Sequence, residues 1–150
     1  MLADLILAIL HHLVVLALVV LITVELLLLR PGLASKDLGT LIKVDAAYGA
    51  SAGLVIVIGF CRVIWGIKGA DFYLGNPWFW TKMAAFLVIG LLSIPPTIAI
   101  LKWRKAQRME AEFQPPAGDI ARLRRFVKHE AALLGIVFAS AAVMARHGAF

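Results

Sequence analysis

The chain has 150 residues, 62% of them hydrophobic, and a net charge of +6 from fifteen Lys and Arg against nine Asp and Glu. Its mean hydropathy of +0.92 exceeds that of soluble domains, in which about half the residues are apolar, and this excludes an ordinary soluble domain. The basic excess lies beside apolar blocks rather than in an aromatic-bearing soluble module, which argues against nucleic acid, and the single Cys61 excludes an intrachain disulfide or a cysteine metal cluster.

Four apolar runs are long enough to cross a hydrocarbon layer of roughly 30 Å, and without water to satisfy peptide groups each is expected to be a helix. The first spans residues 2–29 and carries AILHHLVVL, two adjacent histidines in an otherwise apolar stretch, followed by Glu25 and a stop at Arg30-Pro31-Gly32. It lacks a basic leader and a small-residue cleavage site, so it reads as a retained membrane helix. The second spans residues 46–67 and opens with YGASAG. Its Gly49 and Gly53 form a small-xxx-small pattern that suits close helix packing, within the bundle or in a homodimer. The aromatic stretch DFYLGNPWFW follows and is expected along the outer interface.

The third span, residues 82–103, begins at Lys82 and contains Ser93-Ile94-Pro95-Pro96-Thr97. Its prolines remove two amide donors, freeing the carbonyls of Leu91 and Leu92 for Ser or Thr hydroxyls, water or a ligand. Next comes QPPAGD, where Asp119 suits a helix cap, and then IARLRRFVKH. Ile120, Leu123, Phe126 and Val127 share an apolar face there, predicting a short interfacial cytoplasmic helix before the fourth span at residues 131–145. The expected fold class is all-α, a single four-transmembrane-helix bundle.

Charge asymmetry gives a direction. The first loop has Arg30, Lys36 and Lys43, and eight Lys and Arg lie between positions 102 and 128, whereas Lys68 and Arg146 lie on the opposite side. The first and third loops are therefore expected in the cytoplasm against anionic lipid head groups. Both termini are expected in the periplasm of a bacterial inner membrane.

Ionisable residues inside spans are functional candidates. His11 and His12 lie ~15 Å below the start of the first helix; Arg62 is near the outer end of the second, and Lys82 is at the outer mouth of the third. At 100° per residue, three faces each carry polar groups: His11 to Glu25 through Val15, Leu18 and Ile22; Tyr48 to Arg62 through Ser51, Val55 and Ile58; and Lys82 to Pro96 through Phe86, Ile89 and Ser93. His12 points about 100° from His11. His11, His12, Arg62 and Lys82 thus form a candidate pocket walled by Trp65, Phe86 and the outer aromatics. The alternative is that both cations reach out to phosphates. Near the other boundary, Glu25 is placed to pair with Lys43 or His129.

Such a pocket suits carboxylates, as on porphyrins, or a quinone carbonyl. No second histidine matches the depth of the first pair, so a haem would rest on a single imidazole, with His12 the candidate metal ligand. The zinc-protease motif H-E-x-x-H does not occur, and the G-x-S-x-G at Gly49-Ala50-Ser51-Ala52-Gly53 lies inside an apolar span rather than at a strand-to-helix turn, so it does not support a hydrolase.

The residues HHL, YGASAGLVIVIGFCR, FWTKMAAFLVIGLLSIPPT and LKWRK resemble those of an uncharacterised family of bacterial four-helix membrane proteins over nearly the whole chain. Over the first three helices the chain is distantly similar to protoporphyrinogen oxidases of the HemJ type. That second resemblance implies haem association, a working histidine in the first helix at His12 or His11, and a working lysine at Lys82. Where those oxidases carry a tyrosine-histidine pair further along that helix, this chain has Ser93-Ile94-Pro95-Pro96-Thr97. Two function classes follow: a small-molecule site for haem, porphyrin or quinone in a redox role, and a non-catalytic accessory subunit or assembly factor of a larger membrane complex.

Overall fold

A computed structural model describes residues 2–67 and 69–147; Lys68 and the side chain of His147 lie outside that description. Among the described residues there are five helices and no strand: α1 (Leu2–Leu28), α2 (Ser35–Trp65), α3 (Gly69–Leu74), α4 (Pro77–Met109) and α5 (Ala117–His147). All but α3 are long and apolar enough to cross a membrane, so the chain is a four-span, all-α membrane protein. Two antiparallel hairpins, α1–α2 and α4–α5, meet along the α2–α4 and α1–α5 edges. The diagonal pairs are held apart by the core.

Three helices overrun their expected bounds for one reason: a hydropathy run marks where lipid is, whereas a helix continues while its buried face continues. α2 starts at Ser35, not 46, because Leu38, Leu41 and Asp45 recur at helical spacing and are buried. Asp37 in its first turn suits the helix dipole and pairs with Arg30 at 3.3 Å. α4 starts at Pro77, where the Asn76 side chain accepts from the Trp78 amide at 2.9 Å, a capping bond. α5 absorbs the expected interfacial helix. Ile120, Leu123 and Val127 are buried in the bundle core, so this apolar face packs on protein instead of lipid. Asp119 does not cap it, since the helix begins two residues earlier at Ala117.

α4 runs unbroken through Pro95 and Pro96. The Ser93 hydroxyl donates to the Gly90 carbonyl at 2.8 Å and that of Thr97 to Asp45 Oδ1 at 2.8 Å. Neither hydroxyl serves the freed carbonyls of Leu91 and Leu92, contrary to one expectation.

The two ends of the bundle differ. At the basic end, Leu29, Leu38, Leu41 and Ile100 are fully buried, and Gln107 of α4 donates to the Ser35 carbonyl at 2.6 Å and its hydroxyl at 2.9 Å. At the termini end, α3 folds over the helices and buries Tyr73 and Phe79 against each other, their ring centroids 5.9 Å apart. Trp80 stays exposed and ties back to the Leu74 carbonyl at 3.0 Å. The aromatic stretch is therefore part lid and part outward-facing.

Because lipid supplies no hydrophobic drive between helices, packing carries stability. Leu41→Ala is expected to lower resistance to unfolding in mixed micelles by about 2 kcal/mol, while Leu27→Ala, at a position 68% exposed, leaves it unchanged. Equal losses would contradict the burial described here.

Candidate functional site

Between the helices at the termini end lies a cavity of about 320 Å³ whose lining includes His11, His12, Arg62, Lys82, Phe79 and Phe86. The helical faces predicted from spacing bring the first four together from α1, α2 and α4. Gly59 of α2 faces the imidazole, where a Cβ would sit 3.6 Å from His11 Cε1, in ordinary van der Waals contact. Arg62 and Lys82 both act electrostatically on His11 and on each other. Lys82 Nζ also lies 5.5 Å from the centroid of the Phe79 ring, a cation–π distance.

Two atoms in this cavity are buried without a hydrogen-bond partner: His11 Nδ1 and Arg62 Nε. Neither cation has a carboxylate partner, for among the described residues the one ion pair is Arg30 with Asp37, at the other end. Orphaned buried polar atoms of this kind are uncommon and call for an explanation. Both cations face inward instead of reaching out to lipid phosphates.

His12 stands differently from its neighbour. It is exposed, with Nδ1 2.6 Å from the Ala8 carbonyl and its ring nearly perpendicular to that of His11. His11 is therefore the imidazole with a free nitrogen inside the cavity, and His12 lines the cavity with one nitrogen already engaged. Trp65 is not a wall of the site. It is the last residue of α2 and 69% exposed, and Phe72, Tyr73 and Phe79 take its place. Ile56, Phe60 and Phe138 line the same cavity and are themselves exposed, so its rim reaches the lipid-facing surface.

A second polar layer lies closer to the basic end, and its composition overturns the expected ion pair. Glu25 of α1 is 2% exposed and has neither Lys43 nor His129 beside it. Lys43 is exposed, and His129 is exposed with Nδ1 2.6 Å from the Arg125 carbonyl. The neighbours of Glu25 are instead Asp45 and Glu130, both buried. Tyr48 lies near Glu130, and Thr97 donates to Asp45. All four long helices contribute to this layer. The helical face of α1 signalled Glu25, and Glu130 lies three residues beyond Val127 on the Ile120, Leu123 and Val127 face, which turns inward with it. Among the described residues no group of three His, Cys, Asp or Glu is spaced to hold a metal ion.

Gly49 and Gly53 do not bring helices together within the chain. Both are exposed, and a Cβ at either would meet nothing within 4 Å, so close packing of these two inside the bundle is corrected.

Compared with known proteins, residues 3–148 match the family described as Predicted membrane protein (DUF2214). No curated protein and no solved structure matches the chain.

The Thr97–Asp45 bond joins the two hairpins inside the bilayer. Thr97→Val leaves a buried carboxyl without its donor and is expected to cost about 1–3 kcal/mol in micellar unfolding titrations. Thr23→Val, which removes an exposed hydroxyl bonded to its own helix at Val19, serves as the control. A Thr97→Val protein as stable as that control would remove the bond's structural role.

Proposed function

The chain belongs to the DUF2214 family of predicted membrane proteins, and we propose that its cavity near the termini binds a lipophilic, ring-bearing anion, a porphyrin or haem in the first place, in a redox role. One observation carries this reading: three nitrogen-bearing side chains from three helices enter one apolar-walled cavity with no carboxylate among the described residues to neutralise them, and two of their buried nitrogens lack partners. A carboxylate-bearing ligand supplies a partner for Arg62 and a counter-charge for Lys82, and leaves the His11 nitrogen for a metal or a donor group. Arg62 offers a planar fork and Lys82 a point charge, a pair suited to two carboxylates on one macrocycle.

The cavity of about 320 Å³ is at the small end of ligand sites, which run from about 300 to 1,000 Å³. A macrocycle held there would extend past the exposed rim toward lipid, and that rim is also an entry path for a membrane-dissolved molecule. His11, through its free nitrogen, would hold the metal of a haem on one side, with His12 the other candidate. When bound, haem supplies one-electron chemistry. The protein's part is to hold the carboxylates, shield the ring with Phe72, Phe79 and Phe86, and exclude water.

A quinone is the second ligand that this chemistry accommodates, because Lys82 and His11 can donate to its carbonyls. A different reading makes the chain an accessory subunit or homodimer partner, and the outward-facing glycines Gly49 and Gly53 support it.

Titration of the purified protein with a dicarboxylate porphyrin, followed by its Soret band, separates these readings. Arg62→Gln with Lys82→Gln is expected to weaken binding at least about tenfold, in line with the loss of charge-assisted hydrogen bonds. His11→Ala shifts the band of bound haem and His12→Ala does not. Gly59→Leu fills the cavity and abolishes binding while every polar group remains. Competition by a quinone analogue would transfer the site to quinones. Porphyrin binding that ignores all these variants, or no binding of either ligand, would sink the proposal.

A further inference from the structure

At the basic end, α2 and α4 leave a crevice of about 350 Å³ lined by Gly39, Ile42 and Lys43 on one side and Arg104, Gln107 and Arg108 on the other. Gly39 contributes no side chain, and a Cβ there would meet nothing within 4 Å. Gln107 is turned aside to Ser35 and pins the two helices together. That leaves Lys43, Arg104 and Arg108 at the crevice with no ion pair to any described carboxylate. Three cations around one opening form a receptor for a phosphate group.

A stripe of small residues leads on from the crevice. Ile42, Ala46, Gly49 and Gly53 follow one another at steps of four, three and four residues, a single stripe on α2. It runs from the cations toward the middle of the span. Ala46, Gly49 and Gly53 are exposed, and both glycines stand in open space. The Thr97–Asp45 bond sets the register of the antiparallel pair. Counting eight steps along both helices brings Ile89 of α4 level with Gly53, with Gly90 one residue away. Gly90 is exposed and open as well. Beyond Ile42 the stripe carries nothing larger than a methyl group and leads away from the cationic mouth as a shallow trough, with Leu101 and Ile94 exposed on α4.

We propose that this crevice is a binding site for one anionic phospholipid of the leaflet at the basic end. Lys43, Arg104 and Arg108 hold its phosphate, and an acyl chain lies along the Ala46, Gly49 and Gly53 stripe. The mouth chooses anionic head groups by charge. The trough favours a lipid over a soluble phosphate, which would gain nothing from open glycines facing hydrocarbon. The site is separate from the cavity at the termini end and stands whatever that cavity binds.

Native mass spectrometry of the full chain released from nanodiscs of mixed phosphatidylglycerol and phosphatidylcholine tests this. Wild-type protein is expected to retain one phosphatidylglycerol in preference to phosphatidylcholine. The triple variant Lys43→Gln, Arg104→Gln, Arg108→Gln loses that preference by about tenfold or more. The triple variant Arg122→Gln, Arg125→Gln, Lys128→Gln removes three exposed charges from α5 and keeps it. Gly49→Leu with Gly53→Leu reduces lipid retention and leaves the chain monomeric or dimeric as before. Equal retention of both lipids, equal effects of the two triple variants, or displacement of the lipid by inorganic phosphate alone would overturn the site. A glycine double variant that dissociates a dimer while lipid retention is unchanged would overturn the acyl trough and assign the stripe to a second copy.

Discussion

Lipid cannot hydrogen-bond, and this one deficiency organises the molecule. Every backbone group in the spans is satisfied within a helix except where prolines intervene, and the polar side chains of the spans have to find one another. They do so in two layers. Near the termini lie His11, Arg62 and Lys82; closer to the basic end lie Glu25, Asp45, Glu130, Tyr48 and Thr97. The bond between Thr97 and Asp45 fastens α4 to α2 within the second layer and thereby sets the register on which the other contacts between hairpins depend.

The two layers carry side chains of opposite kind, basic in one and carboxylic in the other, and are packed to different degrees. The acidic layer adjoins a region where Leu38, Leu41 and Ile100 have no exposed surface. The cationic layer surrounds a cavity. Filled apolar packing stabilises a membrane bundle through dispersion contacts, so an unfilled region lined by unpaired cations sacrifices stability. That is the usual condition of a binding site, and it is why the functional reading rests on the cavity and not on the better-packed acidic layer.

Much of this was legible beforehand. The number of spans, the inward face of each of the first three helices, and the grouping of His11, Arg62 and Lys82 follow from hydropathy and a 100° step. Helix limits did not follow, because Leu38 and Leu41 continue the buried face of α2 through a segment too polar to register as membrane. The partner of Glu25 did not follow either. Opposite charges at similar depth, Lys43 and His129, are the natural choice on paper, but each sits on an outward face of its helix. Likewise Gly49 and Gly53 signal close approach of some surface without specifying whether it belongs to the same chain, another chain or a lipid.

The order of apolar and charged residues by itself determined that four helices cross a bilayer, which end is basic, and which side of each of the first three helices turns inward, because those properties depend only on transfer to lipid and on helical pitch. Tertiary structure alone decided that Glu130 and Asp45 surround Glu25, that Trp65 faces lipid, that α5 is one continuous helix, and that His11 rather than His12 keeps a free nitrogen in the cavity. Those outcomes depend on the rotation and offset of one helix against another, which are set by contacts between residues distant in the chain.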